Sequence, residues 1–489
     1  MIEFFLDKQQ LIKSFLAFLP PETILSHQDE ISPYECDGLS AYRKTPLIVL
    51  LPEDIAQIQD IVIYCSEHKI PVVARGAGTG LSGGALPFEQ GVLLSLARFN
   101  KILNIDLDNR TARVQPGVTN LAISTAVKAN DLYYAPDPSS QIACTIGGNV
   151  AENSGGVHCL KYGLTVHNVL KLEIVTIEGE RLTLGSDALD SPGFDLLALF
   201  NGSEGMLGVI VEVTVKLLPI PVSTKVLLAA FDDIALAGDA VGEIIAAGII
   251  PAGLEMMDKL SIKAAEDFVH ANYPIDAEAI LLCEVDGNSE EVSTEIAIVE
   301  KVLTDIGATE IRIAKDESER QLFWKGRKSA FPAIGRISPD YYCMDGTIPR
   351  SRLAEVLKKM SLMSEKYDLA VANVFHAGDG NLHPLILYDA NKSGELEKAE
   401  KFGADILTLC VKVGGTITGE HGVGMEKIDQ MCVQFSSPEL TQFHAVKETF
   451  DPHKLLNPGK AVPTLHRCAE LGAMHIHHGE LPFPELERF

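Results

Sequence analysis

Two segments in the C-terminal half hold the residue types that do metal chemistry: His376-Ala377-Gly378-Asp379-Gly380-Asn381-Leu382-His383, and Gly419-Glu420-His421-Gly422. Imidazoles on either side of a Gly-Asp-Gly turn converge if the chain leaves a strand, bends at Gly378 and Gly380 and continues extended. Glu420 could then complete a set of two histidines and one carboxylate. Such a triad leaves coordination positions open for a substrate, as a catalytic metal requires. His421 would stand free as a base beside a Lewis acid. The competing reading makes His376, Asp379 and His383 turn and strand-end residues bonded to backbone.

A different chemistry is written in the N-terminal half. The loop Arg75-Gly76-Ala77-Gly78-Thr79-Gly80-Leu81-Ser82-Gly83-Gly84 follows an apolar run, and its successive N–H groups could make a nest for a pyrophosphate. It is not a dinucleotide fingerprint, because Leu81 stands where the third glycine of G-x-G-x-x-G belongs, and it is not a P-loop, because no Gly-Lys-Ser/Thr follows. A glycine-rich turn between strands is the bland alternative. A second cluster, Pro136-Asp137-Pro138-Ser139-Ser140 and then Thr145-Ile146-Gly147-Gly148-Asn149 through Asn153-Ser154-Gly155-Gly156, places much glycine and small polar residue in apolar surroundings. That costs backbone entropy. A ligand whose flat rings lie against bare backbone would explain it.

The elements that must position these residues follow an α+β pattern. Residues 70–74, 91–96, 112–114, 170–177 and 208–217 read as strands and residues 120–128 as a helix. Pro219-Ile220-Pro221 breaks the pattern. Beyond it, strand-like residues 225–231, 253–257 and 279–285 alternate with helices near 235–247, 290–306, 351–367 and 394–413, which predicts an antiparallel sheet covered by helices. We therefore divide the chain into residues 1–219 (two α+β subdomains), 220–450 (bearing the histidines) and 451–489 (a return to the first unit and a tail).

Composition narrows the function classes. A chain of 489 residues with 46 % hydrophobic content can bury large cores, and its formal charge of −26 argues against nucleic acid or anionic lipid as partner. The start, Met1 to Asp7, carries carboxylates where a signal peptide carries Lys or Arg, and no long uncharged apolar stretch suggests a membrane span. A cytoplasmic location is expected. The 9 cysteines include no Cys-x-x-Cys pair, which predicts neither a disulfide framework nor an iron–sulfur site. His475, His477 and His478 read as surface residues of the tail.

Taken together, residues 71–80, Gln115-Pro116-Gly117-Val118, Ile146-Gly147-Gly148-Asn149, Gly202-Ser203-Glu204-Gly205-Met206-Leu207-Gly208 and Asn457-Pro458-Gly459-Lys460 resemble the FAD-binding domain of the vanillyl-alcohol oxidase and p-cresol methylhydroxylase superfamily. The histidine and glutamate motifs are similar to those of its D-2-hydroxy-acid dehydrogenase branch. The resemblance runs from about residue 46 to 463. It implies an α+β fold with an FAD-binding domain and a cap domain of antiparallel sheet plus helices. By resemblance, Arg75, Gly76, Ala77, Gly78, Thr79, Gly80 and Ser82 hold the FAD pyrophosphate. Pro136, Asp137, Ser139, Thr145, Gly148, Asn149, Asn153 and Gly155 line the isoalloxazine and ribityl chain, Ile210 the adenine side, and Asn457 closes over the cofactor. No histidine lies between Arg75 and Gly84, so the FAD is expected to be non-covalent.

The resemblance also makes His376, His383 and Glu420 ligands of a divalent metal (Zn, Mn or Fe), His421 the base, and Arg327 the partner of the substrate carboxylate. Relatives acting on larger acids carry a lysine where Cys343 falls, and Arg336 could compensate. The implied activity is oxidation of a small D-2-hydroxy acid, glycolate or D-lactate, with the proton taken by His421 and hydride passed to flavin N5. Electrons would leave to iron–sulfur and second flavin-domain subunits, or to a quinone, with any membrane association made at the inner face through those partners. The alternatives are a non-catalytic flavin-binding accessory subunit, an alkyl-transfer flavoenzyme of the same superfamily, and a dehydrogenase for a larger acid.

Overall fold

The computed structural model describes residues 7–188, 192–464 and Cys468; the tail histidines and the first six residues lie outside this range. The N-terminal half is built on two sheets. In the first, Ile48–Leu50, Val92–Ser95 and Val72–Arg75 run parallel, with Ile24–Leu25 antiparallel at the edge. In the second, Ile102–Asp106, Thr111–Val114, Val209–Lys216, Val169–Val175 and Arg181–Gly185 form an antiparallel sheet in that order.

The C-terminal half is a seven-stranded antiparallel sheet with the order Glu310–Ile313, Ser223–Phe231, Ala279–Gly287, Gly253–Asp258, Val371–Phe375, Pro384–Tyr388 and Asp340–Cys343. Its strands are apolar on both faces. Along Ser223–Phe231, Leu227, Ala229 and Phe231 enter one core while Val226, Leu228 and Ala230 enter the other, as the twofold alternation of a strand requires. Helices Ile234–Ala246, Ser289–Asp305, Leu353–Tyr367 and Glu395–Lys412 cover the first face; Lys259–Val269 and Glu317–Lys328 cover the second.

The chain returns to the first half before residue 451. Phe450, the last residue of helix Ser437–Phe450, sits edge-on against Phe200, and the buried Lys447 ammonium donates to the carbonyls of Met206 and Leu456. Leu456 then forms a parallel bridge with Val72. One expectation about the cysteines fails. Cys432, in helix Met431–Gln434, and Cys468 are joined by a disulfide between positions 36 residues apart, a pairing that spacing does not reveal. The other cysteines are free and, apart from the half-buried Cys36, buried.

Candidate functional site

The two histidines of the first motif flank a hairpin. Val371–Phe375 pairs antiparallel with Pro384–Tyr388, so His376 follows one strand and His383 precedes the next. The turn between them needs its glycines. Gly380 has φ +84°, and a Cβ there would collide with the Ile348 carbonyl; at Gly378 it would meet Leu160 Cδ2 at 2.5 Å. The result is convergence. His376 Nε2 lies 3.2 Å and His383 Nε2 2.9 Å from Glu420 Oε1, and the two rings stand nearly perpendicular with centroids 5.0 Å apart. One ligand atom from each of His376, His383 and Glu420 falls within 4.8 Å of the others, an N, N, O donor set that suits Zn, Mn or Fe. Burial opposes charge on both partners, yet the Glu255 and Glu420 carboxylates raise His376 well above its ordinary pKa, and the two imidazoles hold Glu420 well below its own.

The second motif is shaped by a residue that sequence reasoning passed over. Asp345, fully buried, accepts from the backbone N–H groups of Gly419 (3.0 Å), Glu420 (3.2 Å) and His421 (2.9 Å) and from Thr418 Oγ1 (2.5 Å). A carboxylate inside the bend forces the segment to curl, and Gly422, at φ +81°, completes the turn. Burial works against the Asp345 charge, but His421, Lys427 and His383 outweigh it and lower its pKa. From the other half of the chain, Glu204 accepts the N–H groups of Val423 and Gly424, both at 2.7 Å. Burial pushes the His421 pKa down to about 4 against the pull of Asp345, so the ring is neutral at neutral pH.

Glu255 was also missed, since Gly253–Asp258 reads only as a buried strand. Met256 pairs with Phe375, and one step further along the ladder Glu255 faces His376. Its Oε1 accepts from His376 Nδ1 at 2.8 Å and its Oε2 lies 2.6 Å from Arg327 Nη2. This second contact is a buried ion pair, and Arg327 Nε is a buried donor with no hydrogen-bond partner in the protein. A planar carboxylate presented from the cavity would suit it.

Arg327, His376, His383, Glu420 and His421 line one cavity of about 480 Å³ together with the glycine loop. Arg75, Gly76, Ala77, Gly78, Thr79, Gly80, Ser139, Thr145, Gly148, Asn149 and Ile210 line it as well. The loop backs an open cradle: a Cβ on Gly80 would meet no atom within 4 Å, whereas one on Gly147 would strike Pro116 Cβ at 2.5 Å. This backbone-walled cavity fits the cofactor that the glycines imply.

Several expected residues stand behind the cavity lining rather than in it. Ser82, Pro136, Asp137, Asn153, Gly155 and Asn457 do not line the cavity. Ser82 is buried behind the loop, its carbonyl accepting from Met425 and Glu426; Asp137 pairs with His158; Asn153 accepts from Val166; a Cβ on Gly155 would meet Glu420 Oε2 at 2.6 Å; and Asn457 Nδ2 ties Gly84 to Glu204 through their carbonyls. Arg336 is withdrawn from the substrate site. It follows helix Ala330–Ile334 on the outside, exposed, with its guanidinium donating to the Asp267 carbonyl and lying over the Phe268 ring. Phe331 and Pro332 face the cavity instead, and the Phe331 ring stands edge-on 6.2 Å from His383.

Residues 46–185 match the family described as FAD binding domain, and residues 220–461 match FAD linked oxidases, C-terminal domain. The chain is 67% identical over 483 residues to the glycolate oxidase subunit GlcD of Escherichia coli (strain K12), covering 99% of this chain and 97% of that protein. It is 33% identical to a D-lactate dehydrogenase of Anaerostipes hadrus, covering 92% of this chain and 97% of that protein. Among solved structures, p-cresol methylhydroxylase with substrate bound superposes with a TM-score of 0.79 at 19% identity, covering 94% of this chain and 97% of that one, which shows a shared fold.

Proposed function

Because this chain belongs to the FAD-linked oxidases and is an FAD-dependent 2-hydroxy-acid oxidoreductase, we propose that it oxidises a small D-2-hydroxy acid, glycolate or D-lactate, to the 2-oxo acid with the help of a divalent metal. One observation carries the reading: His376, His383, Glu420, His421 and Arg327 line the same cavity as the glycine loop. FAD, when bound, supplies the two-electron acceptor. A metal held by His376, His383 and Glu420 would supply Lewis acidity toward the substrate hydroxyl. The remaining work belongs to side chains. Arg327, with its Nε donor unpartnered in the protein, orients the substrate carboxylate, and the ion pair with Glu255 fixes the guanidinium. A neutral His421 accepts the hydroxyl proton. Phe331 and Pro332 close the wall beside His383, which favours an acid with a short side chain.

Electrons must then leave. The relative from Escherichia coli is named as a subunit, and the free cysteines here are dispersed and lack the spacing of a cluster site. We extend the subunit role to this chain: a partner carrying an iron–sulfur cluster, or a second flavin-domain subunit or a quinone, takes the electrons. Among the described residues no helix is long and apolar enough to cross a membrane; in the proposed complex any membrane contact is made by the partners, on the cytoplasmic side. Anaerobic addition of glycolate and D-lactate should bleach the flavin spectrum, and a panel of 2-hydroxy acids with an artificial acceptor should rank short acids first. A flavin that no 2-hydroxy acid bleaches would overturn the proposal.

A further inference from the structure

His383 has two sides. Its Nε2 faces Glu420, but its Nδ1 is buried without a hydrogen-bond partner, with the nearest carboxylate, that of Asp345, at 4.0 Å. His421 Nδ1 is likewise buried and unpartnered. The two rings lie nearly parallel, 14° apart in plane with centroids at 4.9 Å. Two orphan ring nitrogens in a closed space are costly, about 1–3 kcal/mol each, and ask for a shared ligand. The sheet supplies a third donor. Cys343 pairs with Leu385 across the Asp340–Cys343 and Pro384–Tyr388 ladder, and His383, two residues before Leu385, is its diagonal neighbour. Cys343 Sγ and one ring nitrogen each of His383 and His421 lie within 4.8 Å of one another.

We propose that Cys343, His383 and His421 form a second metal-binding set, selective for soft divalent ions such as Cd²⁺ or Zn²⁺, whose occupation switches the enzyme off. Selectivity follows from donor type: one sulfur and two imidazoles favour thiophilic ions, whereas the N, N, O set serves harder ones as well. Binding is balanced by the thiol, which loses its proton to solvent as the sulfur–metal bond forms. Inhibition rests on the reading of His421 as base. A neutral imidazole bound to a metal through one nitrogen carries its proton on the other, so neither nitrogen can accept the substrate's proton.

Cd²⁺ is the probe in two titrations: the metal-stripped, FAD-loaded full chain is read by cadmium–thiolate absorption and elemental analysis, and the Mn²⁺-loaded, FAD-loaded full chain by the rate of flavin reduction. The wild type should show the absorption and lose flavin reduction as it saturates. Cys343→Ala, with Cys343→Ser as a companion, should lose the absorption and require at least about 10-fold more Cd²⁺ for inhibition, the lower end of what losing a ligand or its support costs. His376→Ala, which breaks only the first set, should retain the cadmium–thiolate absorption. An absorption that persists in Cys343→Ala overturns the second set and leaves the proposed reaction untouched. An absorption that vanishes there, with wild-type flavin reduction indifferent to bound Cd²⁺, keeps the second set and removes His421 from the role of base.

Discussion

Glu255→Gln should uncouple the metal ligand from the substrate arginine. The carboxylate serves two partners, His376 Nδ1 at 2.8 Å and Arg327 Nη2 at 2.6 Å, and it is 1% exposed while Arg327 is 2% exposed. Each oxygen of a carboxylate can face a donor, but an amide has only one acceptor. If the glutamine oxygen faces His376, the NH₂ group confronts Arg327 and a buried guanidinium loses its counter-charge, at a cost of about 3–5 kcal/mol. If the amide flips, its NH₂ donates to His376 Nδ1, the ring proton moves to Nε2, and that nitrogen can no longer ligate. Loss of such a ligand-orienting partner weakens metal binding about 10–100-fold.

The two outcomes are read separately. Titration of the metal-stripped variant with buffered Mn²⁺ or Zn²⁺ reports the ligand, and denaturant unfolding with FAD bound reports the unpaired arginine. Burial tends to raise the Glu255 pKa, but His376 and Arg327 lower it overall, so the wild-type group is ionised at neutral pH and the substitution removes a real charge. A further sign distinguishes the charge effect from general damage: oxalate, whose carboxylate can pair with Arg327, should stabilise the variant more than the wild type. Metal affinity and unfolding free energy both equal to wild type would refute the reasoning.

His383→Ala should lose bound metal and turnover while keeping FAD, checked by elemental analysis and the visible spectrum. His421→Asn should keep metal and FAD but reduce the flavin about 10²–10⁴-fold more slowly in rapid mixing, the usual contribution of a positioned proton acceptor; an unchanged rate removes it from the mechanism. Acid precipitation should release the flavin into the supernatant, because no histidine stands in the loop between Arg75 and Gly84. His158 gives a pH dependence. Burial lowers its pKa, but Asp137 at 3.0 Å and Glu284 at 3.2 Å raise it from 6.5 to about 10, so its stabilisation is complete below pH 6.5, declines above it and is lost as pH rises through about 10. Unfolding followed between neutral pH and pH 10 should show this loss in the wild type and a flatter profile in His158→Gln.

Much of the site was legible because its chemistry lies in compact motifs. Gly378 and Gly380 announce the turn that brings His376 to His383, and Leu81 in place of a third glycine argues against the G-x-G-x-x-G fingerprint while leaving the loop free to serve FAD in the matched domain over residues 46–185. What stayed hidden depends on pairing between distant strands. Glu255 looks like any residue of a buried strand until its ladder places it beside His376, and Asp345 gains its meaning only when residues 418–421 wrap around it. Arg336 shows the opposite failure. Nine residues past Arg327, it could lie on the same side, but helix Ala330–Ile334 intervenes and turns it to solvent.

The cavity is lined from both halves of the chain, and carboxylates join the halves beside apolar contacts such as Phe200 with Phe450. Glu204, from the glycine-rich segment before Val209–Lys216, holds the backbone just after His421. His158 bridges Asp137 of the first half to Glu284 of the second, and Glu284 also receives Trp324 Nε1 at 2.5 Å and Arg320 Nη1 at 2.9 Å from the helix that carries Arg327. Buried carboxylates of this kind add little net stability against apolar packing but punish any displacement that leaves one unpaired. Their value is therefore positional. With Glu204 fixing the His421 loop and Glu284 fixing the Arg327 helix, neither group can drift relative to the glycine loop without stranding a buried charge, and displacement on the scale of an ångström is enough to cost about 10²-fold in rate.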